Sequence, residues 1–163
     1  MDLTNLFNLI KQDKSKSILF IGLGNKDRGD DLAGIYIINK LQKNFIPNQQ
    51  KRDIKFLVAG RVPENYLQKI IDLQPEIIIF IDTAYMNEEP GIIKVIPPES
   101  IDTLCTSTHT SSLSLIISYI KNSIDTDVYL IGIQPESTQY WKDISYVITK
   151  SCNLLIDELL NIL

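Results

Sequence analysis

The sequence has little of two residue types that many metalloproteins and secreted proteins depend on. Its 163 residues contain one histidine, His109, and two cysteines, Cys105 and Cys152. A single histidine excludes a multi-histidine metal centre, so any metal site in this chain must use carboxylates. Two cysteines that are far apart in sequence are too few for a disulfide framework. We therefore expect free thiols and a reducing compartment.

Long hydrophobic runs and an excess of positive charge are also missing. The apolar runs end well short of the ~18 residues that a membrane span requires, and the N-terminus has no signal-peptide pattern. The net charge is −4, whereas a surface that binds nucleic acid is basic. We expect a cytoplasmic protein with neither membrane nor nucleic acid as a partner. The length and the hydrophobic content of 44% predict one folded domain over residues 1–163.

Strand-like and helix-like segments alternate along the chain. Strands are predicted over residues 17–22, 54–58, 77–81, 92–96 and 128–133. Helical spacing of apolar residues is found over residues 2–12, 30–44, 64–73, 111–121 and 143–163. This alternation predicts an α/β fold, a three-layer α/β/α sandwich around a mostly parallel sheet of about five strands. Residues 1–16 are expected to form an N-terminal helical extension.

Three polar residues lie where such a fold places its ligands, at the carboxyl ends of the strands. Asp31 lies between the first strand and its helix, Asp82 follows the apolar strand IIIFI, and His109 precedes a predicted helix. An unpaired buried carboxylate is costly, so Asp82 is either a turn or cap residue bonded to backbone amides or a functional group. Two carboxylates and one imidazole form a workable ligand set for zinc or nickel.

The glycine-containing loop after the first strand has two further interpretations. Asp30 and Asp31 are adjacent at a helix start, where one carboxylate is enough for capping; we interpret Asp30 as the cap and Asp31 as the candidate ligand. The loop GLGNKDRG differs in spacing from the dinucleotide fingerprint and lacks the ending of a phosphate-binding loop. Its acids would also face the phosphates, so nucleotide binding is disfavoured.

Several segments together resemble the NiFe-hydrogenase maturation endopeptidases, in the expected order over residues 17–163. They are GLGNKDRGDDLAG (22–34), VPEN (62–65), FIDTAYMNEEPG (80–91), STH (107–109) and GIQP (132–135). The VPEN and GIQP segments are most similar to the branch that processes formate-linked or energy-converting hydrogenases, with coenzyme-reducing hydrogenases as alternative clients. One departure is Leu32, because the family commonly has glycine directly after the paired acids.

The resemblance implies an activity and a site. Members of this family remove a C-terminal extension from the hydrogenase large subunit after nickel insertion, and the bound nickel serves as the recognition mark. The family's metal-binding positions fall on Asp31, Asp82 and His109, which are then also the expected catalytic residues. The implied partner is the large-subunit precursor, which carries the nickel; zinc or another divalent ion is possible in the isolated protein. We expect a monomer.

The residues around this site receive more general predictions. Asn25 is expected to stabilise its loop through side-chain to backbone hydrogen bonds. Thr108 and Gln134 are expected to line the substrate cleft. Tyr85 and Met86 are either contacts to the precursor or ordinary half-buried residues.

The sequence leaves alternatives open for both the mechanism and the function class. The metal polarises the scissile carbonyl or activates a water molecule, or Asp31 or Asp82 acts as a general base. The sequence has no serine, zinc or aspartic protease motif, and the nearness of Cys105 to His109 in sequence does not indicate a thiol nucleophile. A non-enzymatic nickel carrier and a small-molecule hydrolase on a similar frame are the competing functions.

Overall fold

The computed structural model describes residues 2–47, 52–101 and 110–163. The strands within these ranges are β1 (Ile18–Leu23), β2 (Ile54–Gly60), β3 (Ile77–Thr83), β4 (Ile93–Ile96) and β5 (Asp127–Ile133). The α-helices there are α1 (Leu3–Gln12), α2 (Ala33–Asn44), α3 (Leu67–Leu73), α4 (Thr110–Ser123) and α5 (Tyr146–Ile162). Short 3-10 turns occupy Gly29–Leu32, Pro63–Tyr66 and Pro98–Ser100.

The strands of the described residues form one five-stranded sheet in the order β2-β1-β3-β5-β4. All neighbouring pairs are parallel except β4 and β5, which are antiparallel. The predicted α/β fold with a mostly parallel sheet is therefore confirmed. Because β2 pairs with one side of β1 and β3 with the other, the order of strands reverses between β1 and β3. Such a switch point opens a crevice at the carboxyl ends of the two strands.

Helices cover both faces of this sheet, and each face has its own apolar core. The first core contains residues of α1, α2 and α5, including the fully buried Leu6 and Ile10 of α1. The second core contains residues of α3 and α4. Strands β1 and β3 are buried along their whole length, as expected for central strands covered on both faces. None of the helices in the described ranges has the length and apolar character needed to cross a bilayer.

The structure differs from the sequence prediction at two boundaries close to the switch point. Strand β3 does not end before Asp82, because Asp82 and Thr83 still pair with Gly132 and Ile133 of β5. The helix predicted to start near Asp30 begins as a 3-10 turn and becomes α-helical only at Ala33. Both candidate acids therefore belong to regular hydrogen-bonded structure.

A close contact between α2 and the central strands fixes the start of that helix. A Cβ atom added to Gly34 would lie 2.2 Å from the carbonyl oxygen of Ile81 and 2.5 Å from that of Leu23. A Cβ atom added to Gly22 would lie 2.6 Å from the carbonyl oxygen of Gly34. The helix thus approaches the backbone of β1 and β3 at a distance that only glycine permits.

We expect Gly34→Ala to lower the free energy of unfolding by about 2 kcal/mol, because the added methyl group meets rigid backbone and forces α2 away from the sheet. This loss should outweigh the ~1 kcal/mol by which alanine favours a helix over glycine. Urea denaturation measures the difference. Asn39→Ala, at an exposed position of the same helix, is the matched control, and equal stability of the two variants would contradict the close contact.

Candidate active site

The loop after β1 holds the first candidate acid, Asp31. Gly24 has a φ of +126°, and a Cβ atom added there would lie 1.9 Å from the carbonyl oxygen of Asp31. The Asn25 amide donates to the same oxygen at 2.9 Å, and the Asn25 Oδ1 atom accepts from the Asp27 amide at 3.0 Å. The predicted role of Asn25 is therefore confirmed. Asp31 itself is 4% exposed.

The departure from the family pattern at Leu32 is harmless to this loop. Leu32 has a φ of −74°, which lies in the right-handed helical region that any residue adopts. Glycine is therefore not required at this position, and α2 starts at the next residue, Ala33.

The second candidate acid, Asp82, lies at the carboxyl end of β3 and is 2% exposed. Burial raises the pKa of the Asp82 carboxyl well above its ordinary value, and the negative charge of Asp31 raises this pKa further. A hydrogen bond from the Thr83 amide to Asp82 Oδ1, at 2.8 Å, acts in the opposite direction. The structure thus brings Asp31 and Asp82 together in one desolvated region, where their like charges repel each other.

The third candidate, His109, lies outside the described residues, as do Thr108 and Cys105. Within residues 2–47, 52–101 and 110–163, no group of three or more histidine, cysteine, aspartate or glutamate side chains is placed to hold a metal ion. In the sequence, His109 directly precedes Thr110, the first residue of α4.

Asp30 does not cap the helix that it opens. Its Oδ2 atom accepts hydrogen bonds from the amides of Glu136 and Ser137, each at 2.8 Å, and its Oδ1 atom accepts from the Ser145 amide at 2.7 Å. All three donors lie between β5 and α5, in residues 134–145, which we call the β5–α5 loop. The interpretation of Asp30 as a helix cap is wrong, because its carboxylate faces this distant loop.

Two further contacts place the neighbours of Asp31. The Thr83 hydroxyl donates to the carbonyl oxygen of Asp30 at 2.8 Å, in a buried position at the end of β3. Gly29 has a φ of +50°, and a Cβ atom added there would lie 2.7 Å from the carbonyl oxygen of Ser137. Asp31 is therefore fixed by a backbone that is held between β3 and the β5–α5 loop.

Gln134 organises a second loop at the edge of the site. Its side chain is 7% exposed, and its Oε1 atom accepts from the amides of Met86 at 2.7 Å and Glu88 at 3.3 Å. The backbone of Gln134 also pairs with Gly91 and Ile92. The side chain thus positions the segment between β3 and β4, a contribution that the sequence pattern did not indicate.

The raised pKa of Asp82 predicts a pH dependence of stability. The folded state binds this proton more tightly than the unfolded chain, so the group stabilises the fold at low pH. That contribution is lost as the pH rises from the ordinary aspartate range through the folded-state pKa. We expect metal-free Asp82→Asn to be more stable than the wild type at pH 7, with a difference that shrinks at lower pH.

Urea denaturation over a pH series measures this difference. Asp157→Asn, which changes an exposed acid of α5, should behave like the wild type at every pH. Higher stability of the wild type than of Asp82→Asn at neutral pH would contradict the unfavourable burial of the Asp82 charge.

Asp30→Asn should loosen the β5–α5 loop. The amide nitrogen of asparagine cannot accept from the backbone amides that now bond to a carboxylate oxygen, so we expect a loss of about 2 kcal/mol in unfolding free energy. Amide hydrogen exchange should accelerate at Glu136 and Ser137 in particular. Unchanged exchange at both amides, relative to the Asp157→Asn control, would contradict the role assigned to Asp30.

Comparison with known proteins assigns this chain to a family. The family model described as hydrogenase maturation protease, HycI, matches residues 35–162. A Methanocaldococcus jannaschii protein named for the same family is 33% identical over 158 residues, which cover 95% of this chain and 93% of that protein. The hydrogenase 3 maturation protease of Escherichia coli (strain K12) is 29% identical over 120 residues, 73% of each chain.

A solved structure is similar over almost the whole chain. The crystal structure of the NiFe-hydrogenase maturation protease HycI from Thermococcus kodakarensis matches with a TM-score of 0.84 at 29% identity, covering 97% of both chains. The similarity therefore includes the sheet, its switch point and the helices on both faces. The chain belongs to the hydrogenase maturation protease family, whose members are peptidases.

Proposed function

We propose that this protein is an endopeptidase that removes the C-terminal extension of a NiFe-hydrogenase large-subunit precursor after nickel insertion. The observation that carries the proposal is the pair of buried acids, Asp31 and Asp82, at the switch point of the sheet. Membership of a peptidase family supports hydrolysis of a peptide bond. The similarity to the Escherichia coli hydrogenase 3 protease supports a client of that type.

Two buried carboxylates of like charge need a cation or a proton between or beside them. Burial and the charge of Asp31 both raise the pKa of Asp82, so protonation of Asp82 is one way to relieve the repulsion. A divalent ion relieves it more fully, and carboxylate oxygens are suitable ligands for such ions. We infer that this ion is the nickel that the precursor already holds, with Asp31 and Asp82 as its oxygen ligands. Zinc or another divalent ion is the corresponding occupant in an isolated preparation.

The direction of α4 supports His109 as the nitrogen ligand. Residues Leu113 and Ile117 of α4 are buried in the same core as residues of β5, and α4 ends a few residues before β5 begins. Helix α4 therefore runs back along the sheet, and Thr110 lies toward the edge where β3 and β5 end. His109 is the residue that directly precedes Thr110 in the sequence.

The chain's own acids would contribute to the hydrolysis in two ways. As ligands, Asp31 and Asp82 restrict the reaction to precursors that bring a cation, because a nickel-free precursor supplies no metal ion for them to bind. When bound, the metal polarises the scissile carbonyl or lowers the pKa of a bound water molecule. One of the two carboxylates accepts a proton from the attacking water and returns it to the leaving amine. The products are a new carboxyl terminus and a free amino-terminal peptide.

The setting of the reaction follows from the same proposal. Cys152 is a buried free thiol, which agrees with a reducing compartment such as the cytoplasm. We propose that the protein acts there as a monomer. Its partner is the precursor; the net charge of −4 does not favour nucleic acid as a second partner.

Incubation of the purified protein with nickel-loaded or nickel-free precursor tests the function by intact mass spectrometry. We expect loss of the C-terminal peptide from the loaded precursor only. Asp82→Asn and Asp31→Asn should reduce the rate by roughly 10²-fold or more, because each removes a ligand or a proton acceptor, and His109→Ala should do the same. Asp157→Asn is the control with an unchanged rate.

The outcomes separate the competing functions. An intact loaded precursor after incubation with the wild type would contradict the peptidase function, and a concurrent rise in precursor nickel would favour a carrier. Normal cleavage by Asp82→Asn would instead contradict the ligand assignment alone. Since Asp82→Asn is expected to fold at least as stably as the wild type, loss of its activity cannot be attributed to unfolding.

A further inference from the structure

We propose that Tyr140 and Trp141, together with Tyr85, form a docking surface for the folded body of the precursor, beside the site that receives its C-terminal tail. This inference rests on the proposed function, because the occupant is the substrate of that reaction. It adds a second recognition element that is independent of the metal.

The three aromatic side chains are exposed to an unusual degree. The exposed fractions are 83% for Trp141, 56% for Tyr140 and 40% for Tyr85, and Trp141 is the one tryptophan of the chain. A large aromatic side chain in water adds nothing to the core of its own protein. Tryptophan and tyrosine are, however, the residues that most often dominate the binding energy of protein interfaces.

Contacts through Thr138 and Arg28 link Tyr85 to Tyr140, and Trp141 is the next residue in the chain. The Tyr85 hydroxyl is hydrogen-bonded to the Thr138 hydroxyl at 2.8 Å. The Arg28 Nε atom donates to the carbonyl oxygen of Thr138 at 3.2 Å, and the Arg28 guanidinium lies 5.0 Å from the centre of the Tyr140 ring. Arg28 therefore supplies a polar, cationic rim to the aromatic surface, as is common at protein interfaces.

The backbone presents Trp141 in a fixed and strained position. Its φ is +62°, a left-handed conformation that bulky residues rarely adopt. The Trp141 amide donates to the carbonyl oxygen of Asp27 at 2.8 Å, and three hydrogen bonds to the Asp30 carboxylate hold the same loop. Because the loop is ordered before binding, an interface here would lose little conformational entropy.

The position of the surface identifies its occupant. Arg28 precedes Asp31 by three residues, and Tyr85 follows Asp82 by three residues. A folded protein whose tail reaches the two acids must cover this rim, because a stable protein interface buries about 800 Å² on each partner and extends well beyond one cleavage site. The precursor is therefore the partner that this surface fits.

Steady-state cleavage of the nickel-loaded precursor provides the first test. We expect Trp141→Ala to raise KM for the precursor by roughly 10-fold or more with little change in kcat, as for a hot spot that contributes to binding alone. Tyr119→Ala is the matched control, because Tyr119 is 55% exposed, like Tyr140, but lies on α4 in the other helical layer. Its KM should equal that of the wild type.

Trp141→Gly separates docking from a structural role. Glycine relieves the strain of the positive φ, so this variant should melt no lower than Trp141→Ala while it also loses affinity for the precursor. If Trp141 served the fold alone, Trp141→Gly would lose stability and retain the wild-type KM. That result would overturn the proposal.

Direct binding gives a readout that does not depend on cleavage. The non-cleaving Asp82→Asn protein, prepared with 5-fluorotryptophan, has a single fluorine signal at Trp141, and nickel-loaded precursor should shift or broaden it. An unchanged signal at saturating precursor would overturn the docking surface, and a shift that depends only on protein concentration would assign the surface to a second copy of this chain. Cleavage by the wild type with no effect of any Trp141 variant leaves the peptidase function intact and rejects this inference alone.

Discussion

The approach of α2 to the sheet is the constraint on which the candidate site depends. At Gly34 the helix lies directly on the carbonyl oxygens of Leu23 and Ile81, which belong to the two strands on either side of the switch point. A larger residue would lift the helix and, with it, the 3-10 turn that carries Asp31. By permitting this close approach, Gly34 brings Asp31, in the connection after β1, close to Asp82, at the end of β3.

This closeness has an electrostatic cost that the surrounding backbone accommodates. The pKa of Asp82 is raised by burial and by Asp31, so the pair opposes folding whenever both acids are ionised. Neighbouring polar groups are hydrogen-bonded. Three backbone amides donate to the Asp30 carboxylate, and the Thr83 hydroxyl donates to the Asp30 carbonyl oxygen. An unfavourable pair of like charges within a well hydrogen-bonded backbone is more typical of a functional site than of a structural ion pair.

Much of the fold was predictable because its signals are local. Apolar runs and helical spacing locate most strands and helices, and the ends of the strands point to Asp31 and Asp82 as neighbours. The direction of β4 was not predictable, since nothing in its four residues encodes it. The role of Asp30 was not predictable from the sequence either, because its hydrogen-bond partners lie 106, 107 and 115 positions away.

Likewise, no sequence rule distinguishes an exposed Trp141 from a half-buried loop residue. His109 stays a prediction from order and resemblance.

The first core also contains Cys152, whose thiol is buried and close enough to Asp30 for its charge to act on it. Burial, with a smaller contribution from Asp30, raises the pKa of this thiol to about 12, so it does not become the thiolate that binds soft metals. The proposed ligands offer nickel two carboxylate groups and the imidazole of His109, and none of them is a thiolate. Under the proposed function, the enzyme therefore binds the nickel less tightly than a thiolate site would. The processed large subunit then dissociates with its nickel in place.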